Sequence, residues 1–200
     1  MIWEILFRIF FIGSMFFLLV IWPIGYIYTE VIWPLKKEKI MKKNFHKIIV
    51  LDIDGVCNSE DWGVKTKGKS GNIDPETIAL LNQLESIGAE VVISSSWGQD
   101  GVEQLENVGL KLPILGCTDH YYQDWLCRGN EIEKWFHDTF GSYGTKYGSK
   151  YYQKDYEYVI FDDDADMLLG QKDNFVQIDR KTGLTQADID KAVKILKREI

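Results

Sequence analysis

The chain has 200 residues, 46% hydrophobic and 14% aromatic, with a formal net charge of −7. That apolar content supports one domain with a substantial core. The acidic balance excludes a generic nucleic-acid binder, which needs a basic surface. The charge is unevenly spread: residues 1–40 carry net +1 and residues 41–200 net −8. Any nucleic-acid contact therefore needs a local basic patch, and Lys65, Lys67 and Lys69, in the loop after Asp52-Ile53-Asp54, are the tight cluster near the presumed site.

Residues 9–28, from Ile9 to Tyr28, contain no charge. About 20 apolar residues span a bilayer as a helix. Trp22 and Trp33 stand where an aromatic belt would lie, and Lys36, Lys37, Lys39, Lys42 and Lys43 follow. The positive-inside rule then puts the C-terminal side in the cytoplasm. The apolar run is too long for a signal peptide and no small-residue cleavage site follows it. The expectation is a single-pass anchor and basic linker over 1–40 and a cytoplasmic domain over 41–200. Translation from Met41 would give the same domain without the anchor.

Along the second part, Lys47–Leu51 is an apolar run that reads as a first strand, followed by a polar loop over 56–72. Asp74, Pro75 and Glu76 form a helix start, with a capping Asp and Pro at the first position. Ile78, Leu81, Leu84 and Ile87 repeat at helical spacing up to Gly88. Glu90–Ile93 reads as a second strand, ending in Ser94-Ser95-Ser96. A short helix is expected over 99–108. A third strand is expected over 112–115, although Pro113 weakens it. Asn130 to Phe140 reads as a helix, with Ile132, Trp135 and Phe136 on one face, and 141–150 as a loop. Tyr156–Phe161 and Phe175–Ile178 read as strands. Thr185 to Asp188 resembles a capping box that opens a C-terminal helix.

Strands alternating with helices argue for a parallel sheet with helices on both faces. Right-handed crossovers gather the strand C-termini on one edge. That edge carries Asp52 and Asp54, then Ser94, then Asp162 and Asp163, and it is the edge where open α/β sheets bind ligands. Gly55 lets the chain leave the strand at once, so both carboxylates of Asp52-Ile53-Asp54 can turn toward one pocket. Carboxylates sharing a pocket need a cation or a shared proton. Cys57, Cys117 and Cys127 form no C-x-x-C, and His46, His120 and His137 no H-x-x-x-H, so zinc is poorly supported. Gly148-Ser149-Lys150 lacks the spacing of a P-loop.

An Asp carboxylate is a competent nucleophile toward a phosphoryl group. A second carboxylate two residues on can protonate the leaving oxygen and later activate water. Mg²⁺ suits carboxylate and phosphate oxygens. A hydroxyl from Ser94 and a cation, Arg128 first and Lys134 second, would hold the remaining phosphate oxygens.

Four segments then resemble the four motifs of the haloacid dehalogenase-like (HAD) superfamily, in order. They are Asp52-Ile53-Asp54-Gly55-Val56, Ser94 after Val91-Val92-Ile93, Arg128, and Tyr158 through Asp164. Ser94-Ser95-Ser96-Trp97, Arg128 through Ile132, Phe161 through Met167 and Asp179 through Thr185 resemble the small HAD domains grouped with Swiss Army Knife RNA-repair proteins. The resemblance spans residues 47–200. It implies an α/β three-layer Rossmannoid fold without a cap domain and a Mg²⁺-dependent phosphohydrolase. Asp52 would be nucleophile and metal ligand, and Asp54 the acid/base with its backbone carbonyl on the metal. Asp162 and Asp163 would hold the metal. Arg128 and a serine would bind the phosphoryl group, the motif register lying at Ser94 or Ser95. Gly98 stands where a basic residue is expected. The short stretches between motifs leave no room for a cap, and an open site suits a large substrate, such as a nucleic-acid end or a phosphoprotein, with nucleotides as a smaller alternative.

A second reading is a membrane-tethered, non-catalytic or regulatory phosphate-binding module with a HAD-like or receiver-like acidic pocket and no turnover. Asp54 separates the two, since a receiver needs one phosphorylatable Asp and no second acid/base.

Overall fold

The computed structural model describes residues 45–67, 72–119, 127–140 and 156–198. The expected anchor and its lysines lie outside these residues. Among the described residues no helix is long and apolar enough to cross a membrane.

Five strands form one all-parallel sheet in the order β3-β2-β1-β4-β5. They are β1 (His46–Leu51), β2 (Ala89–Ile93), β3 (Ile114–Cys117), β4 (Tyr156–Asp162) and β5 (Phe175–Gln177). The helices are α1 (Glu60–Lys65), α2 (Pro75–Asn82), α3 (Gly98–Val108), α4 (Arg128–Phe140) and α5 (Gln186–Leu196). The expected α/β class with a parallel sheet is what forms.

The period of two along each strand divides the core into two layers. Ile49, Leu51, Val91, Ile93, Val159 and Phe161 join a cluster with residues of α2, α3 and α5. Ile48, Val50, Val92, Tyr158 and Ile160 join Ile132 and Phe136 of α4 on the other face. There Phe136 stacks on Tyr156 at 4.5 Å between ring centroids. Strands buried on both faces explain the unbroken apolar runs in the sequence.

The differences from the expected elements have local causes. Within the expected loop, Glu60–Lys65 is helical. Ser59 caps it by accepting from the Trp62 N–H at 3.3 Å, and the N–H groups of Glu60 and Asp61 donate to the carbonyls of Arg180 and Lys181. That tertiary support has no periodic signature. The helix from Pro75 tightens into a 3-10 turn over Gln83–Ile87 before Gly88. β3 starts at Ile114, two residues later than expected. Pro113 stays just outside the strand, where its carbonyl still accepts from the Val91 N–H at 2.8 Å, as an edge strand permits. α4 starts at Arg128 instead of Asn130, and a 3-10 turn over Leu169–Asn174 precedes β5.

The strand order fixes the place of the site. β2 and β3 extend the sheet on one side of β1, while β4 and β5 extend it on the other. The order in which strands are added therefore reverses between β1 and β4, and ligands bind at such a switch point, beyond the strand C-termini. Among the described residues, the connection from β1 to β2 holds only α1, α2 and one 3-10 turn, and that from β2 to β3 only α3.

Candidate active site

Register aligns the key residues. Leu51 pairs with Ile93 on one side and with Phe161 on the other. Asp52, Ser94 and Asp162 each follow one of these residues, so they stand side by side at one level of the sheet. Two ladder-end bonds hold that level: the Asp52 N–H donates to the Phe161 carbonyl at 2.9 Å, and the Ser94 N–H to the Leu51 carbonyl at 2.8 Å. Alternation sends residues 52, 94 and 162 toward the α4 face, where Arg128 begins its helix.

Asp52, Asp162 and Asp163 each offer a carboxylate oxygen, all within 4.8 Å of one another. Asp52 and Asp162 are almost fully buried, 6% and 1% exposed. Burial is the main force on both carboxyls. It raises Asp52 from 3.8 to about 6; Arg128, the Ile53 N–H and the Ser95 hydroxyl oppose it, while Asp163 adds to it. Burial raises Asp162 to about 8, reinforced by the charge of Asp52. Two acids this close cannot both ionise without a counter-charge.

One oxygen of Asp162 accepts from the Asp164 N–H at 2.9 Å. Its other oxygen is buried without a hydrogen-bond partner among the described residues, as is Ser95 Oγ. The Ser95 hydroxyl faces Asp52 closely enough to favour its ionised form, yet short of hydrogen-bond geometry. These orphaned oxygens, with a donor set made of carboxylates, fit a hard divalent cation such as Mg²⁺.

Arg128 is one cation of the cluster. Its Nη1 donates to the Ser94 carbonyl, and its Nε lies 3.9 Å from Asp162 Oδ2. Lys134, the second choice from sequence, is elsewhere on α4, paired with Asp119 at 3.1 Å and Asp138 at 2.6 Å. The Ser94 hydroxyl is 3.4 Å from the Thr118 hydroxyl. The Ser94 backbone thus meets Arg128 while its hydroxyl turns to Thr118, and the Ser95 hydroxyl, which faces Asp52, has no hydrogen-bond partner among the described residues.

Asp54 lies beside this group, half-buried. Its Oδ1 accepts from Asn58 Nδ2 at 2.7 Å and its Oδ2 from Trp97 Nε1 at 2.9 Å. Gly55 follows with φ +77°, and a Cβ there would sit 2.6 Å from Asp163 Cγ. Asp163 also pairs with Arg180 Nε at 2.7 Å. Cys57 is fully buried, its thiol pushed well up by burial and 3.8 Å from the Asp52 carbonyl, as suits a packing residue.

Asp166 stands apart from the carboxylate cluster. Its Oδ2 accepts from the Arg128 N–H at 2.9 Å, capping α4. Buried Gln171 completes the join, accepting from the Leu168 N–H at 2.9 Å and donating to the Gly129 carbonyl at 2.8 Å. Sequence reasoning missed Trp97, Asn58, Arg180 and Gln171 as parts of the site. Their partners are distant in the chain or, for Asn58, set by a local turn, and the hints were the places of Trp97 in Ser94-Ser95-Ser96-Trp97 and of Arg180 in Asp179 through Thr185.

A search of curated proteins returns no match. A family model does match residues 48–189, from the middle of β1 into α5, and it describes the HAD domain in Swiss Army Knife RNA repair proteins. With the motifs on the expected strand ends and the match covering most of the sequence, the chain belongs to that HAD domain family.

Proposed function

We propose that this protein is a Mg²⁺-dependent phosphomonoesterase that works through an aspartyl-phosphate on Asp52. Family membership supports phosphoester hydrolysis at the coarse level. The observation that carries the finer reading is the convergence of Asp52, Asp162 and Asp163 within 4.8 Å, with Asp54 two residues beyond the first of them.

Asp52, Asp162 and Asp163, with the Asp54 carbonyl, would hold the Mg²⁺. Bound there, the ion supplies positive charge against the phosphoryl oxygens and the ionised Asp52. The other roles fall to the chain. An Asp52 carboxylate oxygen attacks phosphorus, a new P–O bond forms, and the bond to the leaving oxygen breaks. Protonated Asp54 gives its proton to that oxygen and becomes a carboxylate. It then takes a proton from the water that attacks the aspartyl-phosphate, which returns Asp52 and releases phosphate. Arg128 and the hydroxyl of Ser94 or Ser95 orient the phosphoryl oxygens. Of the two serines, the unpartnered Ser95 Oγ favours Ser95.

The short connections above the sheet edge favour a large phosphorylated substrate. A nucleic-acid end is the first choice, in keeping with the RNA-repair proteins that the family description names. Phosphate release with Mg²⁺ and with EDTA, over 5′- and 3′-phosphorylated oligonucleotides, nucleotides and phosphopeptides, tests this. The reading expects Mg²⁺-dependent release that is strongest on the oligonucleotides. Unchanged release in EDTA would reject the metal, and a preference for phosphopeptides would reject the nucleic-acid assignment.

We also infer, from the uncharged run 9–28 and the lysines after it, that the protein is a single-pass membrane protein with its catalytic domain in the cytoplasm.

A further inference from the structure

Both oxygens of Asp54 are held by neutral donors from separate parts of the chain. Asn58 reaches one at 2.7 Å and Trp97 the other at 2.9 Å. Asn58 is itself fixed, its Oδ1 accepting from the Gly55 N–H at 2.9 Å. Trp97 sits between the end of β2 and the start of α3, half-buried against the larger core cluster. Gly101 allows this: a Cβ at Gly101 would come within 3.2 Å of Trp97 Cβ and 2.6 Å of Ile53 Cδ1.

A ring that served packing alone would not need its single polar atom aimed at a carboxylate. With one donor on each oxygen, the Asp54 carboxyl cannot turn about its terminal bond without losing a hydrogen bond. Each oxygen keeps a further lone-pair position for a proton exchanged with substrate or water. A general acid must stand within hydrogen-bond reach of the atom it protonates, so a fixed rotamer matters more here than at a residue that only carries charge.

We propose that Trp97 is a positioning residue for Asp54: its indole N–H, together with the Asn58 amide, sets the carboxyl rotamer from which Asp54 protonates the leaving oxygen. This rests on the phosphohydrolase reading above, and it assigns a role in the reaction to a residue outside the four motifs.

The leaving group provides the test. An alkyl phosphate needs its leaving oxygen protonated as the P–O bond breaks, whereas p-nitrophenyl phosphate expels a stable anion. The full chain carrying Trp97→Phe keeps an aromatic ring and loses the N–H. It should lose kcat/KM on an alkyl phosphate by about tenfold or more, within the range of general acid catalysis, and by less than about threefold on p-nitrophenyl phosphate. Asp54→Asn should show the same discrimination more strongly. The double variant should be no worse than Asp54→Asn alone, because both changes remove one function. As a readout independent of turnover, the ¹⁵N indole resonance of Trp97 should move in Asp54→Asn and stay in place in Asp166→Asn.

Equal losses on the two substrates, or losses that multiply in the double variant, would overturn the positioning role. If Asp54→Asn discriminates between leaving groups and Trp97→Phe does not, the inference fails while the phosphohydrolase reading stands. If Asp54→Asn shows no discrimination, the acid/base reading fails and takes the inference with it. Should Trp97→Phe not fold, a benzothienyl analogue at position 97, which keeps the shape and lacks only the N–H, is held to the same two outcomes.

Discussion

At Gly55 the backbone has φ +77°, and a Cβ would fall 2.6 Å from Asp163 Cγ. Positive φ costs an ordinary residue about 1–2 kcal/mol, and here the obstructing group is one of the three clustered carboxylates. Gly55→Ala should therefore reduce stability by about 1–3 kcal/mol and weaken Mg²⁺ binding, as read by denaturant unfolding with and without the ion. The Gly after Asp-x-Asp was legible as the residue that frees the chain from the strand. Its closeness to Asp163 was not, because that residue follows another strand, far along the chain. The same limit applies to Trp97. Part of its ring packs against the core, but its N–H finds a partner 43 positions away. Asp52, Asp54, Ser94, Asp162 and Asp163 were legible as candidates because each lies just past an apolar run, and strand C-termini share one edge of a parallel sheet; Arg128 was legible as a cation just before an expected helix.

Among the elements, α4 carries the most consequence for the site because its first residue is Arg128. Its start is fixed from the β4–β5 connection, by Asp166 on the Arg128 N–H and by Gln171 on the Gly129 carbonyl. A Cβ at Gly129 would lie 2.4 Å from the Leu168 N, so the two segments are in close contact. The apolar period of α4 was readable, but its first turn was not, since the cap comes from 38 residues downstream. The helix α1 was hidden for a related reason: its first N–H groups are satisfied by Arg180 and Lys181, outside any local pattern. The acids at and just past the end of β4 should therefore divide by role. Asp162→Asn or Asp163→Asn should raise the Mg²⁺ concentration for half-maximal activity by about 10-fold or more, or abolish turnover. Asp166→Asn should leave that concentration within about threefold and cost about 1 kcal/mol of stability through the weakened cap. A Mg²⁺ titration of each variant, paired with an unfolding curve, separates the two classes.

For the molecule as a whole, the buried acids link folding to pH and to the cation. Without metal, Asp52 and Asp162 hold their protons up to about 6 and about 8 in the folded state, against an ordinary value of 3.8. The folded state thus binds more protons than the unfolded state above pH 4 or so, and stability falls as pH rises from there through about 8. Mg²⁺ held as proposed would replace those protons with a cation, so it should raise the melting temperature more at pH 8 than at pH 5, and thermal melts in EDTA and in Mg²⁺ at the two values measure this. The proposed anchor in the N-terminal 40 residues is a claim about location rather than chemistry. The full chain should resist carbonate extraction from membranes, and a chain starting at Met41 should not. Recovery of the full chain free in the cytosol would reject the anchor and leave the enzymatic reading intact, because its residues begin at Asp52. The most direct test of the central claim compares phosphate release by wild type and Asp52→Asn in saturating Mg²⁺. The variant keeps the shape of the side chain and lacks the attacking oxyanion. It should fold normally and turn over on the order of 10³-fold more slowly or worse. Near-normal release by folded Asp52→Asn would contradict a mechanism that passes through an aspartyl-phosphate.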